Sequence, residues 1–234
     1  MRFMSQPLWE SLAKQADLDA ELIGKLNGFL DLLMAGNQRM NLTRITERAE
    51  AEVLHVADAL TLLPHLPPGP HRLADVGAGG GVPGMVLAIV RPDVKVTLIE
   101  SSVKKCGFLR ETVAELKLAN VTIDASRAEE AGHASRESFD VAVARAVATL
   151  PTLVEWLLPL VKIGGWAIAM KGPKGIEELK QSQPIITRLG GGPAIVTSAE
   201  LPGAEGHILI RMPKIGRAPS RFPRSPAEAR GNPL

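Results

Sequence analysis

Tyrosine is absent from these 234 residues, and three tryptophans and five phenylalanines bring aromatics to only 3 %. A core of this size must therefore be packed by aliphatic side chains, and recognition of nucleic acid through many stacked aromatic platforms is excluded. Cysteine occurs once, at Cys106, so no internal disulfide can form, which suits a reducing cytoplasm. No apolar run approaches the roughly 20 residues needed to cross a bilayer. The opening Met1-Arg2-Phe3-Met4-Ser5-Gln6-Pro7 is too polar and too short for a secretory signal. Excess charge is missing too: 27 Lys and Arg against 25 Asp and Glu leave a net +2, which by itself does not argue for nucleic acid. The distribution of that charge does. Apolar residues at 45 % support one large domain, or a domain with an appendage.

What the chain does have is glycine in one place. Asp75-Val76-Gly77-Ala78-Gly79-Gly80-Gly81-Val82-Pro83-Gly84 holds five glycines in eight positions. Arg72-Leu73-Ala74 leads in as a buried strand, and Met85–Val90 leaves as a helix with Pro83 in its first turn. Strand, glycine turn and helix open a nucleotide-type site at the carboxyl edge of a parallel sheet. Gly79, Gly81 and Gly84 fit G-x-G-x-x-G, which alone is a weak sign. Asp75 weighs between ligands. A pyrophosphate disfavours a nearby carboxylate, whereas the ammonium and sulfonium of S-adenosylmethionine favour one, by about 4 kcal/mol at ~4 Å and an effective dielectric near ~20. A satisfied strand-end acid is the plain alternative.

Around this landmark the pattern alternates. Residues 5–35 read as two helices, with Leu8 and Leu12 in the first and Leu22, Leu26, Phe29, Leu30 and Leu33 in the second. Asp17 or Asp19 is the candidate cap between them, and Gly36-Asn37 the stop. Thr46 is a candidate cap for a third helix carrying Val53, Leu54, Ala57, Leu60 and Leu63. Prolines 64, 67, 68 and 70 stiffen a linker. Strands follow at 94–99, 120–123, 139–144 and 166–170, the last after a break at Gly164-Gly165. Helices are expected at 101–117, 151–160 and 175–188, and a closing antiparallel pair at 195–200 and 207–212. The expectation is an α/β fold, a doubly wound seven-stranded sheet with an antiparallel end. Residues 1–66 form a helical cap, 67–212 the core, and 213–234 a basic, proline-rich tail.

Several residues stand where chemistry would need them. Glu100 ends the second strand, where a ribose is gripped through its hydroxyls by either candidate cofactor. Arg127-Ala128-Glu129 follows the third strand, and Arg145 the fourth, over the reacting groups. His55 and Asp58 lie one helical turn apart; without further ligands nearby they read as a hydrogen-bonding pair that docks the cap, in preference to a metal site. Cys106, Trp156 and Trp166 read as core. In the tail, Arg211, Lys214, Arg217, Arg221, Arg224 and Arg230 face one acid, Glu228. These arginines are expected to meet phosphates, with Lys104, Lys105 and Arg110 on the same edge and Phe222 able to stack on a base; a solvated tail and helix face are the alternatives.

The pieces together resemble the bacterial guanine-N7 methyltransferases of small-subunit ribosomal RNA, the RsmG or GidB family. They are Asn41-Leu42-Thr43, His55-Val56-Ala57-Asp58, the loop from Asp75 to Gly84, Glu100-Ser101 with Lys104-Lys105 and Phe108-Leu109-Arg110, Asn120-Val121, Arg127-Ala128-Glu129, Arg145-Ala146-Val147-Ala148, Phe222-Pro223-Arg224 and Pro233-Leu234. The resemblance implies a class I methyltransferase fold, S-adenosylmethionine as cofactor and 16S rRNA as substrate, at a guanine of the 530 loop. It implies cofactor contacts at Gly77, Gly79, Val82, Ala128, Glu129 and Arg145, with Asp75 and Glu100 supporting the methionine and ribose ends. The charge pattern makes Lys104, Lys105, Arg217, Arg221 and Arg224 the expected RNA contacts, and the expectation is a cytoplasmic monomer acting on the small subunit with neither metal nor membrane. Guanine N7 carries a lone pair and no proton, so in-line attack on the sulfonium methyl needs no general base. Arg145 is then the catalytic candidate as a positioning group. A nicotinamide-dependent oxidoreductase and a non-catalytic RNA-binding module are the rival readings.

Overall fold

The computed structural model describes residue 14 and residues 16–231, apart from the side chain of Arg230. The expected helix around Leu8 and Leu12, and the terminal Pro233-Leu234, lie outside them. Helix α1 (Ala20–Asn37) starts at Asp19, whose carboxylate accepts the Leu22 N–H at 2.8 Å. It buries Leu26, Phe29, Leu30 and Leu33 on one face. Helix α2 begins as an α-turn (Arg48–Ala51), widens into a π-helix (Glu52–Ala57) and closes as Asp58–Leu60. Its N-cap is Glu47, with no side-chain cap bond, so Thr46 does not serve. A 3-10 turn (Leu63–His65) leads into the sheet.

The remaining elements are β1 (Arg72–Val76), α3 (Gly84–Val90), β2 (Lys95–Ile99), α4 (Val103–Glu115), β3 (Val121–Asp124), α5 (Ala128–Ala134) and β4 (Phe139–Arg145). After them come α6 (Leu150–Leu160), β5 (Val161–Lys171), α7 (Gly175–Arg188), β6 (Ile195–Ser198), β7 (Ile208–Pro213) and α8 (Pro226–Gly231). The strands form one seven-stranded sheet in the order β3-β2-β1-β4-β5-β7-β6. β1 to β5 are parallel, while β7 pairs antiparallel with both β5 and β6. This is the doubly wound class I methyltransferase arrangement. The expected break at Gly164-Gly165 is instead part of β5, which runs through both glycines with a register shift against Phe139 and Val141 of β4.

Alternation along the strands sorts the core into two layers. Leu73, Val96, Leu98, Val141 and Val143 pack with α1 to α4 on one face. Ala74, Val76, Ala142 and Ala144 face α6, which is buried nearly all round through Leu150, Leu153, Leu157 and Leu158. Alanines on the strands let that helix sit close, which is how a core poor in aromatics fills its space. Asn120 ties the end of α3 to the start of β2 and β3: its Nδ2 lies within donating distance of the carbonyls of Ala88, Arg91 and Val94, at 3.0, 3.2 and 3.0 Å. Among the described residues no helix is long and apolar enough to cross a membrane.

The tail is not an extended arm. Phe222 is 2 % exposed within the α5–α6 layer, so it offers no free face to a base. Arg136 donates to the carbonyls of Ala218, Ser220 and Phe222, and His133 Nε2 lies 2.8 Å from the Pro223 carbonyl. Residues 218–224 thus run back along α5 as a strap and end in α8.

Candidate functional site

The carboxyl ends of β1, β2 and β4 open into a cleft of about 1340 Å³, at the point where strand order reverses between β1 and β4. Its floor is the glycine turn, with Gly77, Gly79 and the buried Val82 all in its lining. Gly77 has φ +73°, and a Cβ there would meet Val147 Cγ2 at 2.7 Å, so only glycine fits this turn. Glu100 shapes the turn from β2. Its Oε2 accepts the Gly79 N–H at 3.0 Å and its Oε1 the Ser102 N–H at 2.7 Å. Each carboxylate oxygen keeps a second lone pair, so the group can still accept from a vicinal diol. Beyond β3, Ala128 and Glu129 form the next stretch of wall, beside Ser126. Ser126 Oγ is buried and unpartnered among the described residues.

Asp75 does not line this cleft. Its side chain shares the sheet face of Leu73 and points under α3, where Oδ2 accepts the Gly84 N–H at 2.8 Å. At 1 % exposure, burial pushes its carboxyl up to about 7, against the pull of Gly84 and Arg145. The expected direct contact between Asp75 and a cationic ligand is therefore corrected. Asp75 anchors the turn onto the start of α3 and couples by charge to Arg145 and Glu100, which do line the cleft.

Arg145 ends β4 and reaches across to α2. Its Nη1 donates to the Leu54 carbonyl and lies 3.4 Å from Asp58 Oδ2, while Nη2 lies 3.0 Å from His55 Nδ1. Arginine has only donors, so Nδ1 accepts and the His55 proton sits on Nε2, directed at Thr43 Oγ1 at 3.0 Å. Burial, then the Arg145 charge, lowers the His55 pKa to about 4, so the ring is neutral near pH 7. Asp58 holds a second imidazole: its Oδ1 lies 3.1 Å from His207 Nδ1 at the start of β7. The pairing of His55 with Asp58 expected from sequence becomes a network in which Arg145 and His207 join α2 to the sheet. The widened π turn carries His55 and the Leu54 carbonyl, an irregularity often found where helices build sites.

The basic residues expected to meet RNA divide by position. Lys105 lines the cleft, and Lys104 is exposed one residue earlier on α4. Arg221 is exposed and stacks over Phe222 at 5.2 Å. Arg217 lies 4.0 Å from Glu137, which precedes β4 and hence sits at the amino edge of the sheet, away from the cleft. Arg224 is committed inward: Glu155 Oε1 accepts its backbone N–H and Nε at 2.6 and 2.8 Å, and Oε2 accepts Nη2 at 2.7 Å. A free phosphate-seeking side chain at Arg224 is thereby corrected, whereas Arg217 stays 83 % exposed but stands away from the cleft. Sequence reasoning passed over Arg44, Ser126 and His207 as functional side chains, all of which border the cleft beside Arg127. Trp156, expected in the core, is half-buried and forms part of the same wall.

The donor set fits an adenosine-type cofactor: a bare glycine turn, a carboxylate with spare lone pairs and an orphaned buried hydroxyl. Among the described residues no group of three or more His, Cys, Asp or Glu side chains is placed to hold a metal ion.

A family model described as GidB, rRNA small subunit methyltransferase G, matches residues 22–205. The chain is 41 % identical over 221 residues to "Ribosomal RNA small subunit methyltransferase G" of Moorella thermoacetica, covering 93 % of this chain and 92 % of that one. A relative of the same name from Roseiflexus castenholzii is 41 % identical over 210 residues, covering 89 % and 90 %. Among solved structures, a SAM-dependent O-methyltransferase from Thermotoga maritima superposes with a TM-score of 0.56 at 18 % identity, over 80 % of this chain and 72 % of that one. A ribosomal protein L11 methylase from Lactobacillus delbrueckii subsp. bulgaricus gives 0.53 at 15 %, over 68 % and 77 %. Both share the fold.

Proposed function

The chain belongs to the rRNA small subunit methyltransferase G family, and on that premise we propose that it methylates N7 of a guanine in the 530 loop of 16S rRNA, using S-adenosylmethionine. The observation that carries the reading is one shared cleft. The Gly77–Gly79 turn and Glu100 open into it from β1 and β2, and the Arg145, His55 and Asp58 network from β4 and α2.

S-adenosylmethionine supplies a methyl group on a positively charged sulfur. The chain's part is to bind and orient. Glu100 offers lone pairs to a ribose, Ser126 Oγ and the wall at Ala128 and Glu129 face the adenine, and the turn at Gly77, Gly79 and Val82 admits the methionine end. Guanine N7 attacks in line with its own lone pair, so no side chain has to remove a proton. Holding the two reactants in line is worth up to roughly 7–11 kcal/mol of the barrier. Arg145 acts as a positioning residue: it fixes α2 over the cleft through Leu54 and His55. Arg44, Lys105 and Arg127 around the mouth, with Lys104 beside them, are suited to phosphates and would give binding a steep salt dependence. The acceptor base must be unpaired, because A-form RNA hides N7 in a deep, narrow groove.

The test is methyl transfer from labelled S-adenosylmethionine to purified small subunits, with mass mapping of the modified nucleotide. Calorimetry with S-adenosylmethionine and with NADH runs alongside it. The expected result is one methylated guanine in the 530 loop and binding of the sulfonium compound alone. Gly77→Ala, whose Cβ would fall 2.7 Å from Val147, should abolish that binding, with circular dichroism checking that the variant is folded. Binding of NADH instead, or a methyl group elsewhere, sinks the assignment.

A further inference from the structure

We propose that His207 is a catalytic residue that touches the target base: held by Asp58, its Nε2 accepts the guanine N1–H and stabilises the positive charge arriving on the purine. The inference rests on the function proposed above and names a substrate-facing group of the same site.

Topology separates the two halves of the cleft. The groups suited to the cofactor stand over β1, β2 and the end of β3, at Gly77, Gly79, Glu100 and Ser126. His207 comes from the start of β7, beyond β4 and β5 in the strand order. Because β7 runs antiparallel to β5, its first residues return to the carboxyl edge, with Ile208 opposite Lys171. Three strand spacings of about 4.8 Å put β7 roughly 14 Å from β1. A base brought against a cofactor over β1 therefore lies between the cofactor and His207.

The tautomer is fixed by the partner. Asp58 Oδ1 accepts from Nδ1 at 3.1 Å, so the proton sits on Nδ1 and the Nε2 lone pair is directed away from Asp58. The ring is 34 % exposed and borders the cleft, whereas Asp58 behind it is 3 % exposed and fixed on its other oxygen by Arg145. His55 cannot take this role, because both of its nitrogens are already engaged, by Thr43 and Arg145.

The chemistry asks for such an acceptor. The sulfur–methyl bond breaks and the N7–methyl bond forms, so one positive charge passes from sulfur to the purine. As the ring becomes cationic, its N1–H becomes a stronger donor, and the bond to Nε2 strengthens most in the transition state. An interaction of that kind raises rate without raising affinity equally. No proton has to leave N1 for the step to balance. The charged and titratable groups around the ring are Asp58 and His55 on α2, Arg145 on β4, and Glu205 in the preceding loop. Lys171 on β5 also borders the cleft, paired with Glu178 at 2.7 Å. A protonated His207 would be a donor facing a developing cation, so transfer should fall in acid.

Single-turnover methyl transfer to small subunits is measured from pH 5.5 to 8.5 for the wild type, His207→Ala and His207→Gln, with S-adenosylmethionine affinity by calorimetry. We expect His207→Ala to slow transfer by about 100-fold while cofactor affinity changes less than twofold. The acid limb of the rate profile disappears in that variant. Glutamine, whose amide oxygen accepts in a similar place, restores at least a tenth of the wild-type rate with no acid limb. An unchanged rate and acid limb in His207→Ala overturns the proposal, as does a loss of rate matched by an equal loss of cofactor affinity. A wild type that binds S-adenosylmethionine but methylates no subunit overturns the proposed function, and this inference with it.

Discussion

Gly132 and Pro223 occupy what would otherwise be one volume: a Cβ on Gly132 would lie 2.4 Å from Pro223 Cγ. The contact joins the middle of α5 to the strap and is why that helix carries a glycine where propensity disfavours one. The strap is thus fitted to its groove, and two consequences can be measured.

Gly132→Ala lowers stability. Overpacking against a rigid proline ring costs about 1–3 kcal/mol, against which alanine returns about 1 kcal/mol of helix propensity. The urea midpoint should drop, and amide exchange should speed up along residues 218–224. A midpoint equal to or above the wild type would show that the groove has room to spare.

Arg224→Met destabilises by roughly 3–5 kcal/mol, because it strands the Glu155 carboxylate with its side chain only 4 % exposed. Adding Glu155→Gln recovers much of that loss: the amide oxygen still accepts the Arg224 backbone N–H, and no buried charge remains. Denaturant titrations of the two single variants and the double variant give the coupling directly. Additive losses, or a fall in RNA affinity with stability untouched, would return Arg224 to the role of a phosphate contact.

Two buried groups should tilt the pH dependence of stability in opposite directions. His55 has its pKa lowered from 6.5 to about 4, so between those values the unfolded chain holds more protons than the folded one. Its contribution is present above pH 6.5 and is lost as pH falls toward 4. Asp75 has its pKa raised from 3.8 to about 7, so between those values the folded chain holds more protons. Its contribution is present below 3.8 and is lost as pH rises toward 7. Unfolding free energies at pH 5, 6, 7 and 8 test both signs. The wild-type advantage over His55→Gln should grow from pH 5 to 7, and that over Asp75→Asn should shrink. A difference that does not vary with pH in either variant removes the corresponding assignment.

The sheet was readable because parallel strands buried on both faces are written as apolar runs, as in Val141–Ala144. Helix starts were readable where a side chain caps, as at Asp19, one of the two candidates offered. The π turn was not, since the extra residue in Glu52–Ala57 leaves no mark on an apolar period. Asp75 could have been oriented better: it falls on the face of Leu73, which α3 covers, and the charge argument treated it as facing the ligand. His207 needed topology, because an antiparallel strand brings its first residues to the carboxyl edge. The tail misled for a compositional reason. Arginine and proline read as solvated chain, while Phe222 and the Glu155 carboxylate on α6 were enough to fold it down.

The strap follows every strand in chain order. Any fragment stopped before residue 217 would leave the seam between α5 and α6 bare, with Ala131, Leu158 and their neighbours wetted. Deleting the segment to ask whether it grips RNA would therefore produce a sticky, half-zipped protein. An inactive deletion would report a core laid open, and only substitutions that keep Phe222 and Glu155 in register can question the arginines one at a time.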